Sequence, residues 1–302
     1  MVNLSRKMRI FIDEEKSKGA FKDLTPEEKK DWFVSRMSKE PVDVHINQMV
    51  NRKIPTRDGE SISAHIIHPN NETKRPAILF FGGGLFLTSD TRHLQNQLAE
   101  LAVTCNSTVI AVDYRMEKFP TPIEDCIDAV RWVEEHALEF DSKPDHMVLC
   151  GDGFGASVVA AATQQLKDSE HSIKAICLFY PAVDPALQTE SKRDYGENYL
   201  LETSWLNYFY DQMRGTQEVT PISAPLHGTN FDRHPPTYIL KAEFDPLRDE
   251  GKLYGDKLAE AGVKVFTRVE ENTIHGFFSL PGIHLKKSRQ IIHDVDHFLK
   301  SL

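Results

Sequence analysis

Four short stretches carry residue types that could act together. "CGDGFGAS", residues 150–157, leaves an apolar run, passes closely spaced glycines and enters a run of small residues, the pattern of a strand turning tightly into a helix. The turn pattern G-x-S-x-G carries a serine nucleophile at such a bend. Here Gly151 and Gly155 flank Gly153, which has no side chain to attack with. "AEFDPLRDEG" places Asp245 directly after an apolar run, and "ENTIHGFF" places His275 at the end of another. A carboxylate beside an imidazole orients it, and the imidazole can then take a proton from an attacking group and return it to a leaving group. "FFGGGLF" supplies Gly82, Gly83 and Gly84, whose backbone N–H groups can approach a substrate oxygen closely.

Each stretch has a plain reading of its own. Three glycines can be a turn, Asp245 a helix cap or Asx turn, and His275 a packing residue. Their order is more specific than the parts: glycine turn, then Asp245, then His275, each at the end of an expected strand, where open α/β sheets place ligands.

The elements that would position them follow from apolar periodicity. "RPAILFFGGGL", "STVIAVDYRM", "DHMVLCGDGFG", "IKAICLFYPAVD", "PTYILKAEFD" and "VKVFTRVE" read as strands, most of them continuously apolar. "PIEDCIDAVRWVEEHA", "DEGKLYGDKLAEAG" and "HLKKSRQIIHDVDHFLKSL" read as helices between or after them. Such alternation predicts a mostly parallel sheet covered on both faces. Asp58-Gly59 reads as the turn of an earlier hairpin. Before it, Thr25-Pro26-Glu27-Glu28 is a capping box ahead of a stripe of Trp32, Phe33 and Met37. The aromatic stretch "YGENYLLETSWLNYFYDQM" is too long for a plain connection. Residues 1–45 and about 192–224 are therefore expected to form a helical lid on a domain spanning 46–302. In that lid Trp205, Tyr208, Phe209 and Tyr210 either line an apolar pocket or pack the lid onto the sheet.

Composition sets the outer limits. With 36 basic and 45 acidic residues the chain carries a formal charge of −9, which argues against a nucleic-acid partner. No segment is apolar enough to span a bilayer, and the first twenty residues lack the apolar run of a signal peptide, so a cytoplasmic location is expected. Cys105, Cys126, Cys150 and Cys177 show no metal spacing and read as small buried hydrophobes. The thirteen histidines form no H-x-x-x-H pair, so no metal is inferred.

From about residue 75 to 280 the chain resembles the hormone-sensitive-lipase-like carboxylesterases of the α/β-hydrolase group. "FFGGGLF" is similar to their H-G-G-G segment, "VDYRMEKFPTPIEDC" to their VDYRLAPEHPFPAALEDC-like segment and "CGDGFGAS" to their GDSAGG-like elbow, while "AEFDPLRDEG" and "IHGFFSL" are similar to their acid and base segments. The resemblance implies an α/β-hydrolase fold with a twisted, mostly parallel eight-stranded sheet and a helical lid, and hydrolysis of small to medium acyl esters without a cofactor. It implies Asp245 as the acid that orients His275, His275 as general base, and the N–H groups of Gly83, Gly84 and Phe154 as an oxyanion hole. Gly153 stands where the nucleophilic serine belongs. Phe81, Phe154 and Ala156 also depart from the pattern, replacing a histidine, a small residue and a glycine.

Without a serine the acyl-enzyme route is closed, so this chain is expected to be inactive or strongly impaired. Ser157 lies one helical turn away and points along the helix; a water activated by His275 is the better substitute. Three readings stay open. The first is an esterase silenced by a change to glycine, which the retained Asp245 and His275 favour. The second is a naturally non-catalytic fold that binds a small apolar ligand, which Phe81 and Phe154 favour. The third is a scaffold for a protein partner, and a homodimer also stays open.

Overall fold

Alternate residues of one strand face two different buried clusters, and this fixes the layered architecture. On β5 (Ser142–Asp152), Met147 and Leu149 enter one cluster, Val148 and Cys150 the other. The computed structural model describes residues 4, 6–17, 24–35, 44–70, 72–167, 172–280 and 285–302. Within them, eight strands form one sheet: β1 (Gln48–Pro55), β2 (Ser61–His68), β3 (Arg75–Phe81), β4 (Thr108–Asp113), β5, β6 (Ile173–Phe179), β7 (Thr237–Phe244) and β8 (Val265–Ile274). Their order is β1-β2-β4-β3-β5-β6-β7-β8. The hairpin β1–β2 pairs antiparallel, β2 runs antiparallel to β4, and the remaining pairings are parallel. Gly59, with φ +88°, closes the hairpin at the expected Asp58-Gly59 turn.

Helices cover both faces. α4 (Thr121–His136), α5 (Phe154–Leu166) and α8 (Arg248–Glu260) bury their apolar sides in the first cluster. α3 (Gln95–Thr104) and α9 (Leu285–Lys300) bury theirs in the second. The sequence reading assigns no helix to α3, whose buried stripe in the second cluster is Leu98, Leu101 and Ala102 within a run of only ten residues. The four cysteines are free; Cys126, Cys150 and Cys177 are buried, and Cys150 lies in register with Cys177 across β5 and β6. They act as small core hydrophobes, as read from the sequence. Among the described residues no helix is long and apolar enough to cross a membrane.

Four shorter helices approach the carboxyl ends of the strands. α1 (Arg6–Ser17) and α2 (Pro26–Ser35) contribute Met8, Ile12 and Phe33 to a third cluster. Phe244 at the end of β7 and Ile274 at the end of β8 belong to it too. The capping box forms: Thr25 N–H donates to Glu28 Oε2 at 2.7 Å, and Glu28 N–H to Thr25 Oγ1 at 3.3 Å. Trp32 and Phe33 pack as expected, whereas Met37 lies outside the described residues. α6 (Glu190–Tyr195) is tied to the body by Lys192, whose Nζ lies 2.7 Å from the buried Glu250 carboxylate. α7 (Thr203–Arg214) turns Trp205, Phe209 and Tyr210 into the first cluster and leaves Tyr208 on the outside, stacked on Trp205.

Candidate active site

Parallel strands end at one edge of a sheet, so β3, β5, β7 and β8 deliver four loops to the same place. Asp245 directly follows β7 and His275 directly follows β8, and both side chains are fully buried. His275 Nδ1 lies 2.9 Å from Asp245 Oδ2. The other carboxylate oxygen accepts the N–H of Leu247 at 2.8 Å, which fixes the carboxylate plane. An ionised carboxylate only accepts, so the shared proton sits on Nδ1 and the lone pair of His275 lies on Nε2. Tyr180 holds the imidazole edge-on at 4.7 Å between ring centroids, and Phe86 lies along it at 5.8 Å.

Nε2 faces Gly153. This residue joins β5 to α5 with φ +53° and ψ −122°, a conformation that strains any residue with a side chain. Its N–H donates to Phe179 O at 2.9 Å, and its carbonyl accepts from Ala156 and Ser157. A Cβ placed on Gly153 would lie 3.2 Å from His275 Nε2. The neighbouring glycines differ sharply. A Cβ on Gly151 would lie 2.5 Å from the Gly155 backbone, and one on Gly155 only 1.9 Å from the Phe81 carbonyl. Gly151 and Gly155 are therefore demanded by backbone crowding, while a Cβ at 153 meets no backbone atom closer than 3.9 Å and presses only on the imidazole, which must give by a few tenths of an ångström.

The glycine loop after β3 lies directly on this turn, since a Cβ on Gly83 would meet the Asp152 carbonyl oxygen at 2.0 Å. One expected donor is corrected here. The N–H of Gly83 donates to Asp152 Oδ1 at 2.8 Å, so the carboxylate has taken the hydrogen assigned to a substrate oxygen. Among the described residues the N–H groups of Gly84 and Phe154 have no acceptor. Phe154 opens α5, where the first N–H groups have no partner inside the helix and carry its positive end. Ser157 Oγ donates to the Gly153 carbonyl at 3.3 Å and accepts the N–H of Ala182 at 3.2 Å, so its hydroxyl is already committed to the backbone.

A family model described as the alpha/beta hydrolase fold matches residues 78–279. This chain belongs to the α/β-hydrolase fold family. An ethyl acetate hydrolase from Pseudomonas putida is 29% identical over 240 residues, covering 76% of each chain. An arylesterase from Saccharolobus solfataricus is 27% identical over 263 residues, covering 85% of this chain and 84% of the relative. The solved structure of a hyperthermophilic esterase from the archaeon Pyrobaculum calidifontis superposes with a TM-score of 0.89 at 26% identity, covering 99% and 98% of the two chains. Relatives with these names support a carboxylic-ester hydrolase.

Three parts of this arrangement escape the sequence reading. Asp152 is buried in the last position of β5, and its second oxygen accepts the hydroxyls of Ser279 and, at 3.4 Å, Tyr180. Burial, with the Asp152 charge beside it, pushes the Tyr180 phenol well up, so it stays a neutral donor. An aspartate in an otherwise apolar run was the available signal, because a buried carboxylate requires donors. Second, Trp205 Nε1 donates to the Leu85 carbonyl at 3.2 Å, which links α7 to the glycine loop. Third, Phe86 enters the site from that loop, where only the three glycines had been singled out.

Proposed function

We propose that this chain carries a carboxylic-ester site whose acid and base, Asp245 and His275, are kept while the nucleophile position, Gly153, is empty. The observation that carries this reading is the direction of the missing side chain: the Cβ of any residue at 153 points at Nε2 of a histidine already oriented by an aspartate. An ester carbonyl at this site would direct its oxygen to the N–H groups of Gly84 and Phe154, with Asp152 fixing the loop that presents Gly84. The hydroxyl of Ser157, one helical turn on, is bonded to the Gly153 carbonyl and the Ala182 N–H and does not replace the missing serine. The remaining route uses a water in the space at Gly153: His275 removes its proton, the oxygen attacks the carbonyl, and the imidazolium protonates the departing alcohol while Asp245 balances its charge. Neither route calls on a cofactor. Helices α1, α2, α6 and α7 act as the lid over this chamber.

The test is a comparison with Gly153→Ser on short 4-nitrophenyl esters. The unaltered chain is expected near background, and the variant faster by about 10⁴- to 10⁶-fold, the range that separates a serine hydrolase from its nucleophile-deleted form. A folded variant that stays inert would overturn the esterase reading. The second reading, a non-catalytic binding protein, would then stand, and the buried phenyl rings of Phe86 and Phe154, 6.0 Å apart beside the glycine turn, favour it.

A further inference from the structure

Phe86 is the one ring at the imidazole that comes from the glycine loop. Its side chain is fully buried, with its centroid 5.8 Å from His275, 5.2 Å from Phe209, 6.0 Å from Phe154 and 6.3 Å from Tyr210. The contact with Phe209 is edge-to-face at 72°. The backbone that carries this ring is unusual. Gly84, Leu85 and Phe86 have φ of +39°, +54° and +62° in succession, and the left-handed region is unfavourable for the two bulky residues. The turn is held by Phe86 N–H to Gly83 O at 2.7 Å, Leu87 N–H to Gly84 O at 3.0 Å and the indole N–H of Trp205 on Leu85 O, while Tyr114 Oη on Gly82 O and Gly83 N–H on Asp152 Oδ1 anchor the residues before it. The ring therefore sits against the imidazole on a turn of three consecutive left-handed residues, where a group bound beside His275 would have to stand.

We propose that Phe86 fills the subsite for an aromatic group of this protein's ester ligand, and that such a ligand turns the Phe86 ring out and takes its place. The proposal rests on the ester-site reading of Asp245, His275 and Gly153. The ligand class follows from the walls. Once Phe86 leaves, the space is bounded by Phe154, Phe209, Tyr210 and the imidazole, which offer edges and faces to a flat phenyl-sized ring. A saturated ring of the same size would bury similar apolar area and lose those edge-to-face contacts. Opening the turn also releases Leu85 and Phe86 from their left-handed backbone, which lowers the cost of displacement.

The experiment uses two probes that need no chemistry, benzyl alcohol and cyclohexylmethanol, titrated calorimetrically into the unaltered chain and into Phe86→Ala. Removing the plug is expected to tighten benzyl alcohol by about ten-fold, and the variant should prefer it over cyclohexylmethanol by about five-fold. Equal affinity of the unaltered chain and the variant, or equal affinity for the two probes, overturns the subsite. Should Phe86→Ala not fold, Phe86→Leu keeps most of the packing, and benzyl alcohol is expected to tighten by about three-fold; no change overturns the proposal equally. A second arm separates this inference from the reading beneath it. In the Gly153→Ser background, Phe86→Ala should raise kcat/KM for phenyl acetate relative to ethyl acetate by about five-fold. An active Gly153→Ser chain with an unchanged ratio sinks the subsite alone. An inert one with the probe preference retained sinks the ester reading and leaves the aromatic site.

Discussion

Asp245 and His275 directly follow adjacent strands, fully buried and joined by one 2.9 Å hydrogen bond, with the Leu247 N–H holding the carboxylate and Tyr180 set edge-on to the imidazole. The opposite arm of the site, from Phe81 to Phe86 and from Asp152 to Phe154, has backbone packed against backbone, a glycine at 153 facing the imidazole and the phenyl ring of Phe86 beside it. The first arm is arranged by side chains that meet at the correct atoms. The second is arranged by the absence of side chains, so one substitution there changes chemistry, packing or backbone strain according to position. A residue added to the second arm should therefore recruit the first, and damage to the first should cancel the gain.

The largest expected effect tests that dependence. In the Gly153→Ser chain, His275→Ala should lower kcat by about 10⁴- to 10⁶-fold on 4-nitrophenyl acetate, returning it to the level of the unaltered protein. A serine variant that keeps most of its activity without His275 would mean that the two arms do not work together. In the unaltered chain the same substitution should remove any residual hydrolysis, because the water route has no other base.

Next in size is a contrast within the elbow. Gly155→Ala drives a Cβ to 1.9 Å from the Phe81 carbonyl oxygen, a backbone clash that rotamer changes cannot relieve. Urea unfolding should show a loss of about 4 kcal/mol or more, or no folded protein at all. A loss near 1 kcal/mol would show that the loop after β3 is free to move away from α5.

This contrast also marks what the sequence could and could not disclose. Gly151, Gly155, Asp245 and His275 were legible because motif spacing and strand ends specify where a chain turns and which atoms it presents. The strands were legible because continuous apolar runs have few alternatives in a parallel sheet. The destination of the Gly83 N–H was not legible. It depends on Asp152, sixty-nine residues away, whose carboxylate needed donors and found one in the loop. Nor was the ring of Phe86, since its direction comes from three consecutive left-handed residues, and only one of those is a glycine. Among the aromatics of α7, helical phase separates Trp205, Phe209 and Tyr210, which face inward, from Tyr208; the choice between pocket and packing depended on what stood opposite them.

Acid sensitivity gives a comparison between the site and the far side of the nucleophile arm. His234 is buried beside α5, with Nε2 2.7 Å from the Gln164 amide nitrogen, and burial depresses its pKa to about 4. As pH falls from 6.5 toward 4 the unfolded chain takes up a proton that the folded chain refuses, so stability present above 6.5 is lost on acidification. The shift corresponds to about 3 kcal/mol at most. Replacing His234 with Gln should flatten the dependence of unfolding free energy on pH across that window. If the slope persists, acid loss originates elsewhere, and low-pH activity loss cannot be assigned to this end of α5.

The smallest effect is the stability cost of restoring a nucleophile. A Cβ at position 153 meets no backbone clash but presses on the imidazole and must adopt φ +53° and ψ −122°, so Gly153→Ser should gain catalysis and lose stability together. Strain of this kind costs about 1–3 kcal/mol, less than the clash at Gly155 because no backbone atom stands in the way. The new hydroxyl would offset part of it by bonding His275 Nε2. Adding His275→Ala to the serine variant should therefore leave the strain and remove the compensation. A double-mutant cycle on unfolding free energies would measure that coupling, expected near 1 kcal/mol for a single buried hydrogen bond. A coupling of zero would mean that serine at 153 fits the turn without meeting the imidazole, and the two arms would then share a cavity without sharing a proton.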